Sequence, residues 1–223
     1  HPAAAVGMSG PPVPVSVAVC TRGRPDQLAR ALVSLLAQDR APHQVLVIDN
    51  APTDEATRKV VAAFEPRVQY FRERTPGLDF ARNRAVASVT APVVAFLDDD
   101  AVADRSWLGA LSAAFEDPRV SACTGRVVAL ELATPAQRLF EANGGFARGE
   151  RRICLPADAT GALHGWPAPL VAWAVSVGSG CSMALRTERV RSLGGFDEAL
   201  DLGPARPGGG DLDMLWRILS AGD

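Results

Sequence analysis

PVVAFLDDD, residues 92–100, runs from a short apolar stretch directly into three consecutive aspartates. An apolar run of this length, with no polar alternation, reads as a strand covered on both faces. In an open parallel sheet, ligands bind beyond the carboxyl ends of such strands, which is where Asp98, Asp99 and Asp100 then stand. Three adjacent carboxylates repel one another, by about 1 kcal/mol per pair near 4 Å even in water. A hard divalent cation removes that repulsion, and Mg2+ takes one or two carboxylates together with substrate phosphate oxygens. The plainer alternative is a solvated turn in which one aspartate caps the following helix.

Upstream, strand and helix patterns alternate. Val13–Cys20 is a second buried strand; Thr21–Pro25 turns the chain, and Pro25 suits a first helical position. Leu28, Ala31, Leu32, Leu35 and Leu36 then fall on one helical stripe. Val45–Ile48 predicts a strand ending at Asp49. Thr53 or Asp54 is expected to cap a helix carrying Val60, Val61 and Phe64. Val68–Phe71 is another short strand, and Asp79 can cap a helix through Ser88. This alternation predicts a largely parallel sheet with right-handed crossovers. Thr21-Arg22-Gly23-Arg24 and Asp49-Asn50 then share an edge with the three aspartates, a coincidence that packing does not require.

Downstream the pattern is less regular. Ser106–Phe115 reads as a helix, Val120–Leu132 as a long strand, Thr134–Asn143 as a helix and Gly144–Pro169 as loop. Cys181–Leu185 predicts a strand, Thr187–Leu193 a short helix and Asp211–Leu219 a last helix. Gly178-Ser179-Gly180-Cys181-Ser182 reads as a tight turn, since it lacks the lysine of a P-loop, and no GxGxxG opens a helix after the first strand. Gly208-Gly209-Gly210 allows a ligand close to the backbone, with Asp211 on the first helical turn facing it. Asp211 as a simple cap, and Asp213 with Arg217 as an i,i+4 ion pair, are the structural alternatives.

Composition narrows the function classes. The chain has 223 residues, 48% hydrophobic and 22% charged, enough for one good core and far from disorder. Twenty-three basic against 25 acidic residues give a net charge of −2, which implies no nucleic-acid-binding surface. Lys59 is the only lysine, and the arginine and alanine bias reads as codon usage rather than function. Cys20, Cys123, Cys154 and Cys181 form no CxxC pair or zinc spacing and are expected to be reduced, mostly buried thiols. Gly165–Leu185 carries no formal charge over 21 residues, yet Pro167, Pro169, Gly178 and Gly180 favour a buried strand and glycine turn over a membrane span. Residues 1–12 lack the basic and apolar regions of a signal peptide and are expected to be a disordered lead-in or tag remnant. Residues 13–223 form one expected domain, with a nucleotide-binding part about 13–105 and an acceptor part about 106–223, and the native protein is expected to continue further. His1, His43 and His164 make no triad; Trp166, Trp173 and the Arg148–Arg152 stretch read as packing and solvated loop.

With these residues in view, the chain resembles the family 2 glycosyltransferases, a GT-A-fold group that uses nucleotide-sugar donors, over residues 14–222. PVSVAVCTRGRP (14–25) is similar to the family's opening strand and turn, and VLVIDNAPTD (45–54) to its second strand. GLDFARNRAV (77–86) resembles its Gly-x-x-x-Ala-Arg-Asn helix, and VVAFLDDDAVADRSWL (93–108) its Asp-x-Asp strand. GSGCSMALRTERVRSLGGFDEAL (178–200) resembles the acceptor-side strand and turn, and GGGDLDMLWRIL (208–219) the Glu-Asp-x-Asp helix. Two departures stand out. Cys-Thr-Arg-Gly-Arg replaces the usual Pro-Thr-Tyr-Asn-Arg, and Gly210 stands where the family has glutamate.

The resemblance implies an α/β fold of GT-A (Rossmann-like) type, a mostly parallel sheet flanked by helices with a less regular acceptor-side second half. It implies that Thr21 and Asp49, with Arg24 and Arg82, contact the nucleotide sugar. Asp98 would meet the ribose side of the donor and help bind metal, Asp100 would bind Mg2+ or Mn2+ at the diphosphate, and Asp99 could share either task. Asp211 would be the general base of an inverting transfer to a carbohydrate, lipid-linked or small-molecule acceptor. A catalytically inactive nucleotide- or sugar-binding domain and a sugar nucleotidyltransferase are the alternatives. The expected partners exclude nucleic acid, and the expected location is the cytoplasm or the inner face of the membrane.

Overall fold

Val17, Ala18 and Val19 are wholly buried, which a strand achieves only with a neighbour on each side and a layer on each face. The computed structural model describes residues 12–146, 152–154, 162–163, 166–167, 179–203 and 206–221. In it these valines lie in β1 (Val15–Thr21), inside a six-stranded sheet with β2 (Gln44–Asn50), β3 (Gln69–Glu73), β4 (Val93–Leu97), β5 (Ala122–Thr124) and β8 (Ser182–Arg186). The order is β3-β2-β1-β4-β8-β5; the first four are parallel, and β8 runs antiparallel to both its neighbours. Two-residue ladders pair β6 (Ala162–Leu163) with β7 (Trp166–Pro167), and β9 (Asp201–Gly203) with β10 (Arg206–Pro207). The first pair falls inside the stretch expected to be loop.

Two helical layers cover the sheet. On one face, α1 (Pro25–Leu36), α2 (Ala56–Ala62) and α4 (Trp107–Ala114) bury Leu28, Leu32, Leu35, Val61, Leu108 and Leu111 against Val15, Val17, Val47 and Val93. On the other, α3 (Leu78–Ser88) packs Ala81, Ala85 and Val86 against Ala18, Leu46 and Ile48. Val190 of α6 (Thr187–Ser192) and Met214 and Ile218 of α7 (Gly210–Ser220) complete this second layer. The remaining helix, α5 (Pro135–Ala142), is closed by a capping box from Thr134 and Gln137 and buries no residue. Among the described residues, no helix is long and apolar enough to cross a membrane.

Several local expectations change. The long strand over Val120–Leu132 shrinks to β5, because β8 begins at Ser182, whose carbonyl takes the last bond of the ladder from the Gly125 amide at 2.9 Å. Gly125 leaves the ladder against the Ser182 hydroxyl, and Val128, Leu130 and Leu132 lie exposed. Asp79 is not a cap. Gly77 precedes α3, and Asp79 sits within its first turn, ion-paired to Arg82. Asp54 does accept from the Ala56 amide at 2.8 Å, although Glu55 is the residue that precedes α2, and the helix ends before Phe64. Residues 1–11, most of the Arg148–Arg152 stretch, His164, Trp173 and Gly178 lie outside the described residues, as do the side chains of Trp166 and Pro167.

All four cysteines are free, but only partly as expected: Cys154 is exposed and the other three are half-buried. Burial pushes the Cys20 thiol up to about 12, against the opposing charge of Arg82. Thiolate is the reactive form, so alkylation with iodoacetamide at pH 8 should modify Cys154 quickly and leave Cys20 intact until the chain is unfolded. Peptide mass mapping reads this directly; early labelling of Cys20 would contradict its enclosure.

Candidate active site

Parallel pairing brings the ends of β1, β2 and β4 to one edge: Thr21 stands beside Asp49, and Ala18 beside Phe96. Because β8 is antiparallel to β4, its first residue, Ser182, lies opposite Leu97 at that same edge. The Asp98 amide donates to the Cys181 carbonyl at 3.3 Å, which ties the aspartate run to the turn before β8.

Within the run the three carboxylates have different surroundings. Asp99 is turned inward and 5% exposed; it accepts from Thr21 Oγ1 at 2.6 Å and from Arg24 Nη1 at 3.2 Å. Asp100 is exposed and, among the described residues, meets the same Arg24 nitrogen at 3.2 Å. Asp98 is half-buried, and burial pushes its carboxyl up to about 6; the negative charges of Asp100, Asp99 and Asp211 add to the rise, and Arg82 opposes it. An acid whose pKa is higher folded than unfolded lends the fold stability when protonated and loses it as pH rises through the folded value. In chelator, the thermal midpoint of Asp98→Asn should therefore exceed that of the parent at pH 7.5, with the gap closing as pH falls below about 6. A gap that stays constant over this range would refute the assignment.

Asp49 stands apart. It is 0% exposed and accepts from the Tyr70 hydroxyl at 2.8 Å. Burial raises its carboxyl, opposed by hydrogen bonds from Tyr70 and Thr57 and by the charge of Arg72. Its neighbour Asn50 latches the loop into α3, donating to the Thr75 carbonyl at 2.7 Å and accepting from the Gly77 amide at 3.0 Å.

The second wall of the site comes from α3 and α7. Arg82 is 5% exposed, its guanidinium 2.9 Å from Asp79 Oδ1 and stacked 5.4 Å from the Phe196 ring. Gly208 and Gly209 approach α7 with φ of 90° and 112°, values that favour glycine. They turn the chain so that Asp211, on the first turn of α7, accepts from the Gly180 amide at 2.8 Å. Asp213 pairs with Arg217 at 2.7 Å, the structural role expected of it. Thr21, Arg24, Arg82, Asp98, Asp99, Asp100 and Asp211 thus converge, while Asp49 faces inward.

The sequence reading gives Gly180 and Asp79 no role at the site. Gly180 read as part of a tight turn, and nothing local announces its bond to a residue 31 positions later. For Asp79 a signal existed: Asp79 and Arg82 are an i,i+3 pair on one helix face.

Among the described residues, no three His, Cys, Asp or Glu side chains surround a common point as a protein-only metal cage would require. Asp98 and Asp100 fit the other mode of hard-cation binding, in which one or two carboxylates act with phosphate oxygens of a ligand. Their charge balance agrees: among the described residues here, Asp98, Asp99, Asp100 and Asp211 outnumber the guanidinium groups, and of these Arg82 is already paired with Asp79 while Arg24 bridges Asp99 and Asp100.

Residues 16–159 match the Glycosyl transferase family 2 profile, and the chain belongs to that family. The pre-mycofactocin glycosyltransferase of Mycobacterium tuberculosis (strain H37Rv) is 28% identical over 209 residues, spanning 93% of this chain and 39% of the relative. The O-antigen biosynthesis protein RfbC of Myxococcus xanthus is 30% identical over 212 residues, 93% of this chain and 16% of that protein. Among solved structures, the mannosyltransferase PcManGT from Pyrobaculum calidifontis in complex with GDP-Man and Mn2+ superimposes with a TM-score of 0.65 at 21% identity, over 95% of this chain and 53% of its own. S. aureus TarS 1-349 in complex with UDP gives 0.64 at 18% identity, over 92% of this chain and 55% of its own. These likenesses define the fold as GT-A. The chain therefore spans well under two thirds of these relatives.

Proposed function

We propose that the chain is the catalytic domain of an inverting glycosyltransferase, transferring a sugar from a nucleotide-diphosphate donor to an acceptor hydroxyl, with Asp211 as general base and Mg2+ or Mn2+ at Asp98 and Asp100. The observation that carries this reading is the convergence of Asp98, Asp100 and Asp211 at the carboxyl edge of the sheet, where α/β folds bind ligands. The donor complexes among the structural neighbours, GDP-Man with Mn2+ in one and UDP in another, support a nucleotide-sugar ligand.

Each residue has a task in this reading. Arg24, 54% exposed and already bridging Asp99 and Asp100, exchanges part of that contact for a donor phosphate. Thr21 fixes Asp99 and so the floor beneath the diphosphate. Asp49 acts through Tyr70 and the β2 end as a scaffold for the nucleoside side. A divalent cation, when bound, neutralises the charge that builds on the leaving diphosphate. Opposite it, Asp211 takes the acceptor proton as the hydroxyl attacks, and a single displacement inverts the anomeric carbon. The bond from the Gly180 amide fixes one carboxylate oxygen and leaves the other to accept. The test is calorimetric titration with UDP, GDP and dTDP in Mn2+ and in EDTA, followed by turnover of the matching nucleotide sugars. Metal-dependent binding of one nucleotide is expected; equal binding in EDTA would remove the metal from the proposal, and binding of none would remove the donor.

A further inference from the structure

Asp79 takes no part in the scheme above, yet it is among the most enclosed charges in the molecule, 1% exposed on the first turn of α3. One of its oxygens accepts from Arg82 Nη1 at 2.9 Å. The other, Oδ2, is buried without a hydrogen-bond partner and lies against the α-carbon of Gly210, where a Cβ would overlap it. Gly210 is the first residue of α7, whose start has no side-chain cap. A carboxylate there complements the positive end of the helix.

Arg82 is held on every side. Phe196 lies 5.4 Å beneath the guanidinium. That ring is fixed because Asn83 accepts from the Phe196 amide at 2.7 Å and donates to its carbonyl at 2.9 Å. At the other guanidinium nitrogen, a Cβ on Gly180 would lie 2.9 Å from Arg82 Nη2 and 2.6 Å from Asp211 Oδ2, so guanidinium and base carboxylate share one small space. Arg82 therefore stands among competing anions: Asp79, which it bonds, Asp211 beside its second nitrogen, and Asp98, whose carboxyl its charge holds down.

We infer that Asp79 is a positioning residue for the transfer reaction: it seats the first turn of α7 and engages Arg82, leaving the Asp211 carboxylate on the Gly180 amide and available to accept a proton. The inference rests on Asp211 being the base. Without the Asp79 charge, Arg82 turns to Asp211, whose Oδ2 lies nearest it, and draws the carboxylate off the Gly180 amide.

Asp79→Asn preserves shape and removes the charge. With the nucleotide sugar identified by calorimetry, donor hydrolysis by this variant should lose about 10-fold or more in kcat with KM unchanged. The double variant Asp79→Asn/Asp211→Asn should be no slower than Asp211→Asn alone, because the two residues act as one unit. In 15N-labelled protein without donor, the Gly180 amide resonance of Asp79→Asn should move toward its position in Asp211→Ala. An unmoved Gly180 resonance, or losses that multiply in the double variant, would overturn the inference. Parent-like turnover in Asp211→Asn would sink the base assignment itself, and with it the catalytic role of Asp79, whatever the amide shows. If Asp79→Asn does not fold, Arg82→Lys, which loses the second arm of the fork, should shift the same resonance; no shift would count against the inference equally.

Discussion

Asp211→Asn is expected to bind nucleotide and metal as the parent does and to lose sugar transfer by about 10²–10⁴-fold, the range a general base contributes. The substitution is nearly isosteric. Its side-chain oxygen can still accept from the Gly180 amide, which the parent carboxylate meets at 2.8 Å, so α7 and the turn before β8 should stay joined. What disappears is the capacity to take up a proton. Binding heats of the nucleotide in Mn2+ report the first half, and initial rates with the matching donor the second. Transfer at the parent rate would show that another group takes the proton; loss of both binding and transfer would show that Asp211 holds the donor rather than the acceptor.

Asp100→Ala should give the opposite division: the Kd for nucleotide measured in Mn2+ rises to the value found in EDTA, and transfer falls with it. The argument depends on where Asp100 sits. It is exposed and, among the described residues, pairs with Arg24, which is 54% exposed itself. Such surface pairs contribute about 0–1 kcal/mol to stability, so the thermal midpoint should hardly move. A loss of binding in Asp100→Ala can then be assigned to the metal rather than to misfolding. The same substitution at Asp99 would be harder to interpret, since Thr21 and Arg24 both bond to its enclosed carboxylate. Metal-dependent binding that survives in Asp100→Ala would leave Asp98 as the sole protein ligand.

The elements that could be read from sequence were those whose physics is local. The apolar runs of β1 and β4 and the Leu28–Leu36 stripe of α1 carry their burial in their own periodicity. Parallel pairing then followed from alternation, and with it the shared edge of Thr21 and Asp98. What could not be read is set by partners far along the chain. The length of β5 is decided by β8, more than fifty residues later, not by the branched residues that continue through Val128. Asp79 has a good cap's composition at a helix start, but a buried arginine one turn away is a stronger partner than a backbone amide. Nor does the sequence show that Tyr70, on the neighbouring strand, donates to the buried Asp49 carboxylate at the end of β2.

The position of β8 between β4 and β5 has a consequence for biosynthesis. Among the described residues β5 pairs with β8 alone, and one edge of β4 likewise waits for it. As the chain leaves the ribosome, β1 to β4 can assemble as soon as Leu97 emerges, yet the flank of β4 stays open until Arg186 follows. At roughly 5–20 residues per second that interval lasts seconds, and throughout it the nascent chain presents an unpaired strand made of Val93, Val94, Ala95, Phe96 and Leu97. Such an edge is a template for pairing with other chains. Nascent or truncated chains that stop between Leu97 and Arg186 should therefore be the ones that engage chaperones or aggregate.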